Sequence, residues 1–558
     1  MTTKETNGRE RWDAIVIGSG LGGLCTAAYL CAAGKRTLVV ESHYVAGGNS
    51  QVFRRLQHGR AWEFDVGIHY IGECGRDGSI AAVLHGLGLA ERVVFRPLDP
   101  DCYSILHFPD LEFRIPCGWD RYKKRLVETF PDEAEGLSAV LDVMQRVSEA
   151  GRRLGRGEVA IGELAQQAPV FLQWGLRPVT ELFAQHHLSD RASAVLLGEQ
   201  GCYAVRPSRT PVVMAAGLSD HFLRGAFYPE GGGQVIAARL IEAIRAWGGE
   251  VRTNTPVQRV RIENGRVAGV LVGKPSQQAQ EIDAPVVVSN ADLKRTFFEL
   301  VGAEHFGPQT VERIRSLRMA LPLFCVYAGL DIDLAAMGFS NSNHYVFGGY
   351  DFEAVYDELE SGKLSSKAMT YITTASLKDP TTRQIAPPGC TNLQIMTLAP
   401  LDYSVWNVER GPTEGGRYHR NPEYRRRKQA LCDQLLESAE TAIPDLRRHL
   451  VWKEAATPVS QERFTRSTGG TSYGIEMSPD QAGPFRVGPR TEIPGLFLCG
   501  ASTPSGPGIS GVMRSGVDAA GQVLETNLLR PILAGQVFGD RDVLPALHAD
   551  WDPWKVSH

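Results

Sequence analysis

The sequence predicts an α/β fold organised around a parallel β-sheet, and two observations near the N-terminus carry this prediction. The run 14–17 is apolar at every position, which is typical of a strand buried on both faces. Gly18, Gly20 and Gly23 follow with the spacing G-x-G-x-x-G and open a helix-like run. A second apolar run then ends at Glu41. The order strand, glycine turn, helix and strand is that of a parallel β-α-β unit.

The residues of this unit favour dinucleotide binding. Glycines allow a tight turn and a close backbone approach to a pyrophosphate, which the helix N-terminus then stabilises. A carboxylate at Glu41 can accept hydrogen bonds from both ribose hydroxyls and repels a 2′-phosphate. A glycine-rich turn of another α/β protein remains the alternative. The strand before the motif, the helix after it and the acid at its end favour a Rossmann-type domain.

Composition limits the classes of function. A chain of 558 residues exceeds a single core, so we expect two domains. The net charge of −4 argues against nucleic acid as the main partner. The cysteines form no C-x-x-C pair, so we expect no metal site, and the pair His186-His187 fits a solvated helix end better than a metal centre. Residues 1–11 are polar, which predicts a cytoplasmic protein.

Two uncharged stretches raise the question of a membrane. Residues 14–34 and 493–513 are long enough to span a bilayer, but a glycine cluster interrupts the first and glycines and prolines interrupt the second, so we expect no integral span. The apolar and aromatic run 170–188 predicts one or two core helices. Its alternative is a lid that dips into a membrane or an apolar tunnel, so peripheral membrane contact stays open.

The order of the elements predicts that the chain enters the nucleotide-binding domain three times. That domain comprises residues 12–75, 226–295 and 491–530, with a hairpin at Asn264-Gly265 and a final strand and glycine-rich loop that feed another helix. Residues 76–225 and 296–490 form an inserted α+β substrate-binding or lid domain. Residues 531–558 are predicted to be a C-terminal tail.

Several further motifs occur in a fixed order over residues 12–530. They are Glu41-Ser-His43 followed by Gly47-Gly48, Phe64-Asp65-Val-Gly67, Phe227-Tyr228-Pro-Glu-Gly231-Gly232, Val288-Ser-Asn290-Ala291, and Gly500-Ala-Ser-Thr through Gly508-Ile-Ser-Gly511-Val. Together with the first glycine motif, the series resembles the phytoene desaturase-like branch of the flavin amine oxidase superfamily. This branch includes bacterial carotenoid desaturases, plant carotenoid isomerases and the retinol saturases.

Two details of the resemblance point to different subfamilies. His43, the run 67–72 around His69 and Tyr70, and the run 286–291 are most similar to the retinol saturases. The closing segment 500–509 is more similar to bacterial carotenoid desaturases, but it has Pro504 where those enzymes typically have histidine. The subfamily and the direction of the reaction therefore stay open.

The resemblance implies FAD, bound in an extended form across the first domain. It implies that Gly18, Gly20 and Gly23 face the pyrophosphate and that Glu41 meets the adenosine ribose. The remaining cofactor positions that it implies are Gly47 and Gly48 beside the diphosphate and flavin, Val257 at the adenine, and Gly500, Ala501, Ile509 and Ser510 near the ribityl chain and flavin ring.

The resemblance also implies hydride transfer at flavin N5 to or from a carbon–carbon bond of an apolar isoprenoid or polyene lipid. A long apolar substrate needs a tunnel, which the inserted domain can line. Desaturation, saturation and redox-neutral isomerisation all remain open. The candidate proton donors are His69, Tyr70 and Glu73, with Tyr203 and Arg209 as further candidates; a structural, hydrogen-bonded role is the alternative for each.

Two other classes of protein compete with this interpretation. A flavin amine oxidase needs an aromatic cage beside the flavin, for which Trp174, Trp406 and Tyr403 are available. A non-catalytic lipid carrier is also known on this fold, and Rab escort-type proteins resemble it. The intact glycines, Glu41 and the closing flavin motif argue against a carrier.

Overall fold

The computed structural model of the protein describes residues 10–57, 59–274, 278–548 and 550–558, with the backbone alone at Ile161. Most of the polar segment 1–11, in which the sequence predicts no signal core, lies outside the described residues. A parallel sheet forms the centre of the fold. Across the sheet, its described strands run in the order Glu250–Arg252, Thr37–Val40, Ala14–Ile17, Val287–Ser289 and Leu496–Leu498.

Alternate residues of the strand Ala14–Ile17 pack into different cores. Ala14 and Val16 lie on one face of the sheet and pack against a layer of helices. Ile15 and Ile17 lie on the opposite face and belong to a different core. The helix layer consists chiefly of Leu21–Ala32, Gln234–Ala246 and Gly508–Val523. Because both faces are covered, every residue of this strand is buried.

A small sheet covers the second face of the parallel sheet. Its described strands are ordered Glu10–Arg11, Gln280–Asp283, Arg266–Val272 and Val257–Glu263. The hairpin predicted at Asn264-Gly265 is confirmed, since Glu263 pairs with Arg266. Two antiparallel ribbons complete the β-structure around this part of the fold, formed by Val52–Gln57 with Arg60–Asp65 and by Phe95–Pro97 with Phe227–Pro229.

A mixed sheet dominates the inserted part of the chain. Its described strands run in the order Leu450–Ala456, Leu323–Leu330, Thr391–Leu398, Thr370–Thr373, Asn343–Val346, Ser104–Phe108 and Leu111–Ile115. All eight residues of Thr391–Leu398 are buried, as expected for a central strand with covered faces. The predicted fold class is therefore confirmed: a Rossmann-type sheet with an inserted α+β part. The domain boundaries themselves stay a prediction.

Helices surround both of these sheets. The remaining described α-helices are Ser79–Gly86, Trp119–Thr129, Ala134–Gly155, Leu164–Gln167, Pro169–Trp174, Val179–Gln185, Asp190–Leu196, Val212–Leu223, Leu293–Arg295, Pro308–Ser316, Phe352–Glu360, Ala375–Lys378, Pro422–Ala439, Pro458–Thr465, Leu529–Leu533 and Pro553–Val556. Among the residues that the structure describes, no helix has both the length and the apolar character needed to cross a bilayer.

The run 170–188 is partly buried and partly exposed in the structure. It forms the short helices Pro169–Trp174 and Val179–Gln185, and Trp174 lies in the core. Leu172 and Leu176, by contrast, keep 57% and 37% of their surface exposed. This segment therefore contributes to the core on one side and presents leucines on the other.

The C-terminal segment, which the sequence predicts to be a tail, packs against the nucleotide-binding part of the fold. Asp552 accepts two hydrogen bonds of 2.7 Å from the Arg54 guanidinium. The Ser557 carbonyl accepts a 2.8 Å bond from the Ala46 amide, and the Gln234 amide donates to the Ser557 hydroxyl at 2.8 Å. These partners are hundreds of residues away in sequence, so no local pattern reveals the contact.

We predict that Asp552→Asn loosens this segment. Because a hydrogen bond to a charged group contributes about 1.5–3 kcal/mol, cleavage between residues 536 and 550 should accelerate about tenfold. Limited proteolysis followed by mass spectrometry measures this rate. Asp550→Asn is the matched control, since Asp550 is exposed and should leave the rate unchanged. Equal rates for both variants would contradict the role given to the Arg54 contact.

Candidate functional site

A cavity of about 1170 Å³ lies between the carboxyl ends of the parallel strands and the mixed sheet. An ordinary small-molecule site has about 300–1,000 Å³, so this cavity can hold a dinucleotide together with part of a second ligand. The predicted cofactor positions that line it are Gly18, Gly20, Glu41, Gly47, Gly48, Val257, Gly500, Ala501, Ile509 and Ser510. The structure thus brings together residues from three distant parts of the chain.

The first glycine turn is built by close backbone approach. A Cβ added at Gly20 would lie 2.8 Å from the Asn290 amide nitrogen, and one at Gly48 would lie 2.9 Å from the Gly20 Cα. Gly23 differs from the expectation for the three glycines, since the structure places it behind the cavity wall. An added Cβ there would overlap the Gly18 carbonyl oxygen, so Gly23 serves helix–strand packing.

Glu41 directly follows the strand Thr37–Val40, and hydrogen bonds from Ser19 and His43 hold its carboxylate in one orientation. The Ser19 amide and hydroxyl donate to Oε2 at 2.8 and 2.7 Å, and the His43 amide donates to Oε1 at 2.8 Å. The Glu41 side chain is buried at the edge of the cavity. These donors fix the carboxylate at the end of the strand, where the position of a ribose is expected.

A second glycine loop faces the first one across the Asn290 side chain. Gly500 has φ of 99°, and an added Cβ would lie 2.8 Å from the Asn290 side-chain oxygen. The loop leads into the helix Gly508–Val523, whose first turn contains Ile509 and Ser510. Asn290 belongs to the sequence motif Val288-Ser-Asn290-Ala291, but the sequence does not predict its place between the two glycine loops.

Two helix N-termini at the cavity carry no side-chain cap and no acidic residue in the first turn. They belong to Leu21–Ala32 and Gly508–Val523, which have 12 and 16 residues. Free N–H groups at such ends stabilise negative charge. A glycine cradle without room for side chains, uncapped helix starts and an oriented carboxylate are the features that a bound FAD requires, so the residues present fit this cofactor.

The candidate proton donors have different surroundings. The His69 ring lies at the cavity near Tyr371, and its imidazole has no hydrogen-bond partner among the described residues. Tyr70 also lines the cavity, and its hydroxyl donates to Glu199 at 2.8 Å. Glu73 pairs with Arg224 at 2.7 Å and accepts a bond from the amide at the start of Ser79–Gly86. Glu73 therefore has structural partners, although it reaches the cavity wall.

Burial controls the ionisation of these groups. It lowers the pKa of the His69 imidazole to about 3, with a smaller contribution from the nearby Lys378 charge. Burial also raises the pKa of Tyr70 well above its ordinary value. His69 is therefore a neutral imidazole at neutral pH, with one N–H donor and one acceptor nitrogen.

The remaining sequence candidates lie outside the cavity wall. Arg209 pairs with Glu360 and Glu476, and Tyr203 is buried apart from the cavity lining. Trp174, Trp406 and Tyr403, the candidates for an aromatic cage, do not line it either. Among the described residues, no cluster of three histidine, cysteine, aspartate or glutamate side chains could hold a metal ion.

The far half of the cavity is apolar and aromatic, and sequence reasoning missed most of it. Its main side chains are Phe171, Val213, Met214, Leu218, Phe222, Leu323, Tyr345, Met369, Tyr371, Met396 and Tyr473. They come from separate helices and strands, so no local spacing marks them. The sequence analysis indicated this wall only through the general expectation that the inserted domain lines a tunnel.

Comparison with known proteins identifies the class. The profile of the family FAD dependent oxidoreductase (DAO) matches residues 13–508, and the chain belongs to this family. FAD is therefore confirmed as the predicted cofactor, and the protein is an FAD-dependent oxidoreductase.

The chain is similar to two kinds of relative and to solved structures. It is 24% identical to the all-trans-retinol 13,14-reductase of Danio rerio, over 93% of this chain and 87% of the relative. It is 26% identical to the chloroplastic prolycopene isomerase of Arabidopsis thaliana, over 93% and 84%. An oxidoreductase from Methanosarcina mazei shares the fold, with a TM-score of 0.57, 16% identity, and coverage of 92% and 100%. The resemblance inferred from the sequence is confirmed.

We predict that Gly20→Val abolishes retention of FAD. The valine side chain would enter the space occupied by the Asn290 amide and close the cradle. Flavin absorbance after gel filtration measures retention. Gly349→Val is the control, because an added Cβ there meets no atom within 4 Å and Gly349 does not line the cavity. A folded Gly20→Val protein that remains yellow would contradict this position of the cofactor.

Proposed function

We propose that the protein transfers hydride between FAD and a carbon–carbon bond of an apolar polyene or isoprenoid lipid. The observation that carries this proposal is the continuity of the cavity. One end is the glycine cradle, and the other is a wall of aliphatic and aromatic side chains. A ligand in the apolar half therefore lies against whatever the cradle holds.

Within this proposal, Gly18, Gly20, Gly47 and Gly48 flank the pyrophosphate and Glu41 binds the adenosine ribose. Val257 contacts the adenine, and the flavin lies at Gly500, Ala501, Ile509 and Ser510. Gly23 supports the first turn from behind. The cofactor-binding domain is composed of residues 12–75, 226–295 and 491–530, and the substrate domain of residues 76–225 and 296–490.

Bound FAD supplies a centre that accepts or donates a hydride. The chain supplies the surroundings. Phe222, Met369 and Met396 offer apolar and polarisable surface that holds a long hydrocarbon and excludes water. Of the three predicted proton donors, we keep His69 and Tyr70 as candidates for a part in proton transfer, because both line the cavity, whereas Glu73 is held by Arg224.

Reduction and isomerisation are both consistent with this site. The relatives named above are a reductase of all-trans-retinol and an isomerase of prolycopene, which are both polyenes. We favour saturation or desaturation, with redox-neutral isomerisation as the second candidate. An amine oxidase is less well supported, because Trp174, Trp406 and Tyr403, the residues predicted for its aromatic cage, do not line this cavity.

The test is anaerobic mixing of the holoenzyme with all-trans-retinol or a carotenoid while flavin and polyene absorbance are followed together. Saturation by reduced enzyme should shorten the conjugation as the flavin is reoxidised. Desaturation by oxidised enzyme should lengthen it as the flavin bleaches. Isomerisation should shift the polyene spectrum without net flavin change. In a separate aerobic assay, release of hydrogen peroxide from amines, together with every polyene left unchanged in the anaerobic test, would refute the proposal.

The mouth of the cavity suggests how such a substrate enters. Leu172 and Leu176 line the cavity and are also exposed to solvent. We propose that these leucines contact a lipid surface, from which the substrate passes into the cavity without crossing water. The contact is peripheral, with each buried leucine contributing about 1.5–3 kcal/mol.

Replacing both leucines tests this contact. The double variant Leu172→Asp/Leu176→Asp should sediment with phosphatidylcholine vesicles at least about tenfold less strongly, because it loses the apolar area of both side chains. FAD content should not change. Leu547→Asp is the control, since Leu547 is 56% exposed but does not line the cavity. An equal loss in the control, or no loss in the double variant, would contradict the proposed entry site.

A further inference from the structure

Glu199 is a buried carboxylate directly behind the wall of the cavity. Oε1 accepts hydrogen bonds from Tyr70 at 2.8 Å and from Ser104 at 2.9 Å, and Oε2 accepts one from Tyr103 at 3.0 Å. Glu199 has no arginine or lysine partner among the described residues, and it does not line the cavity. An acid in this position needs an explanation, because burial without a cation penalises its charge.

A chain of hydroxyl groups joins Glu199 to the cavity. The Tyr70 hydroxyl lies 2.8 Å from Glu199 and 2.9 Å from the Tyr345 hydroxyl. The Cys202 sulfur lies 3.6 Å from the Tyr70 hydroxyl and 3.5 Å from the Tyr345 hydroxyl. Tyr70, Tyr345 and Cys202 all line the cavity. The order Glu199, Tyr70, Tyr345 and cavity is therefore continuous at hydrogen-bond distance.

The protonation state of Glu199 sets the direction in which the hydrogen bonds of this chain are donated. Each tyrosine has one hydroxyl proton, and an ionised carboxylate only accepts. When Glu199 is ionised, Tyr70 donates to it and Tyr345 must donate to Tyr70. When Glu199 is protonated, the whole chain can reverse, so that Tyr70 donates to Tyr345 and Tyr345 donates into the cavity. One proton on Glu199 thus decides whether the cavity meets a donor or an acceptor.

We propose that Glu199 is the proton reservoir of the reaction and exchanges protons with the substrate through Tyr70 and Tyr345. This inference rests on the proposed function. In saturation, one carbon of the double bond receives a hydride from reduced FAD and the other receives the Tyr345 hydroxyl proton. Tyr70 then reprotonates Tyr345, and Glu199 reprotonates Tyr70. The products are a C–C single bond, oxidised FAD and the Glu199 carboxylate, which bulk water reprotonates. Desaturation is the reverse.

The groups around Glu199 agree with this role. Burial raises the pKa of the Glu199 carboxyl, which favours a protonated reservoir. Within the described part of the chain, the ionisable groups that interact with its charge are weak acids from several elements packed around it: Tyr70, Tyr103, Cys117, Tyr122, Cys202, Tyr345 and Tyr371. Lys378 lies 5.8 Å from the centre of the Tyr70 ring, but its ammonium group donates to other oxygens.

The full-length holoenzyme and three variants test the relay. Glu199→Gln removes the proton but keeps the shape, and Tyr345→Phe removes the hydroxyl at the cavity end of the proposed chain. Tyr103→Phe is the matched control, because it also removes one bond to Glu199 but lies away from the cavity. Reduced enzyme is mixed anaerobically with all-trans-retinol in H₂O and in D₂O, and binding of retinol and FAD content are measured separately.

We expect Glu199→Gln and Tyr345→Phe to slow loss of the polyene at least about tenfold, as for loss of a general acid. Their solvent isotope effect should grow, because proton transfer becomes limiting, while retinol binding and FAD content stay unchanged. Tyr103→Phe should remain near the wild-type rate. Wild-type rates in both relay variants, or an equal loss in Tyr103→Phe, would overturn the relay. No change of any polyene by the wild-type enzyme would instead refute the proposed function.

An infrared measurement decides the relay without turnover. In the difference spectrum between the wild-type holoenzyme and the Glu199→Gln holoenzyme, the wild type should show a protonated carboxyl band at about neutral pH, because burial raises the pKa of the Glu199 carboxyl, whereas most exposed carboxyls are ionised there. After transfer to D₂O, this band should shift more slowly in Tyr345→Phe than in the wild type or in Tyr103→Phe. A band that is absent, or that exchanges equally fast in all three, would overturn the proposal. If Glu199→Gln does not fold, Tyr345→Phe still tests the rate and the exchange.

Discussion

The close approach of two glycine loops around one asparagine is the constraint on which the site depends. An added Cβ at Gly20, Gly22 or Gly500 would come within 2.8 Å of the Asn290 side chain. Asn290 follows an interior strand of the parallel sheet, and its backbone amide donates a hydrogen bond to the Ile17 carbonyl at 2.9 Å. Close packing at this point leaves no room for side chains. The backbone itself therefore forms the floor of the cavity.

The cavity has two chemically different halves because it lies between two sheets. The parallel sheet contributes loops at its strand ends, where backbone N–H groups and Glu41 are available to a charged cofactor. The inserted part contributes side chains from its own core, so its half of the cavity is apolar. An environment that excludes water next to a polar cradle is what transfer of a hydride to an unactivated carbon requires.

Polar networks behind the apolar wall hold the segment that carries His69 and Tyr70. The fully buried Lys378 donates to the His69 carbonyl and to Asn343, both at 2.6 Å, and burial lowers the pKa of its ammonium group to about 7. Glu199 binds the Tyr70 hydroxyl from another side. Buried hydrogen-bond networks of this kind restrict side chains to one arrangement, which keeps these two groups at the cavity surface.

The sequence by itself determined the cofactor half of the protein. The strand 14–17, the glycine turn and Glu41 are local in sequence, and each has a direct physical requirement, such as φ of 90° at Gly18. The hairpin at Asn264-Gly265 and the strand–turn–helix interpretation of residues 14–34 followed from the same local rules.

Only the tertiary structure decided the rest. Gly23 and Gly20 belong to one motif, but packing turns one toward a strand and the other toward the cavity. Glu199, Tyr70 and Tyr345 lie far apart in sequence and meet only when the inserted sheet closes over the cavity. The C-terminal segment looked like a tail because its partners, Arg54 and Ala46, lie at the other end of the chain. Local periodicity records which face of an element is buried, but not which distant element buries it.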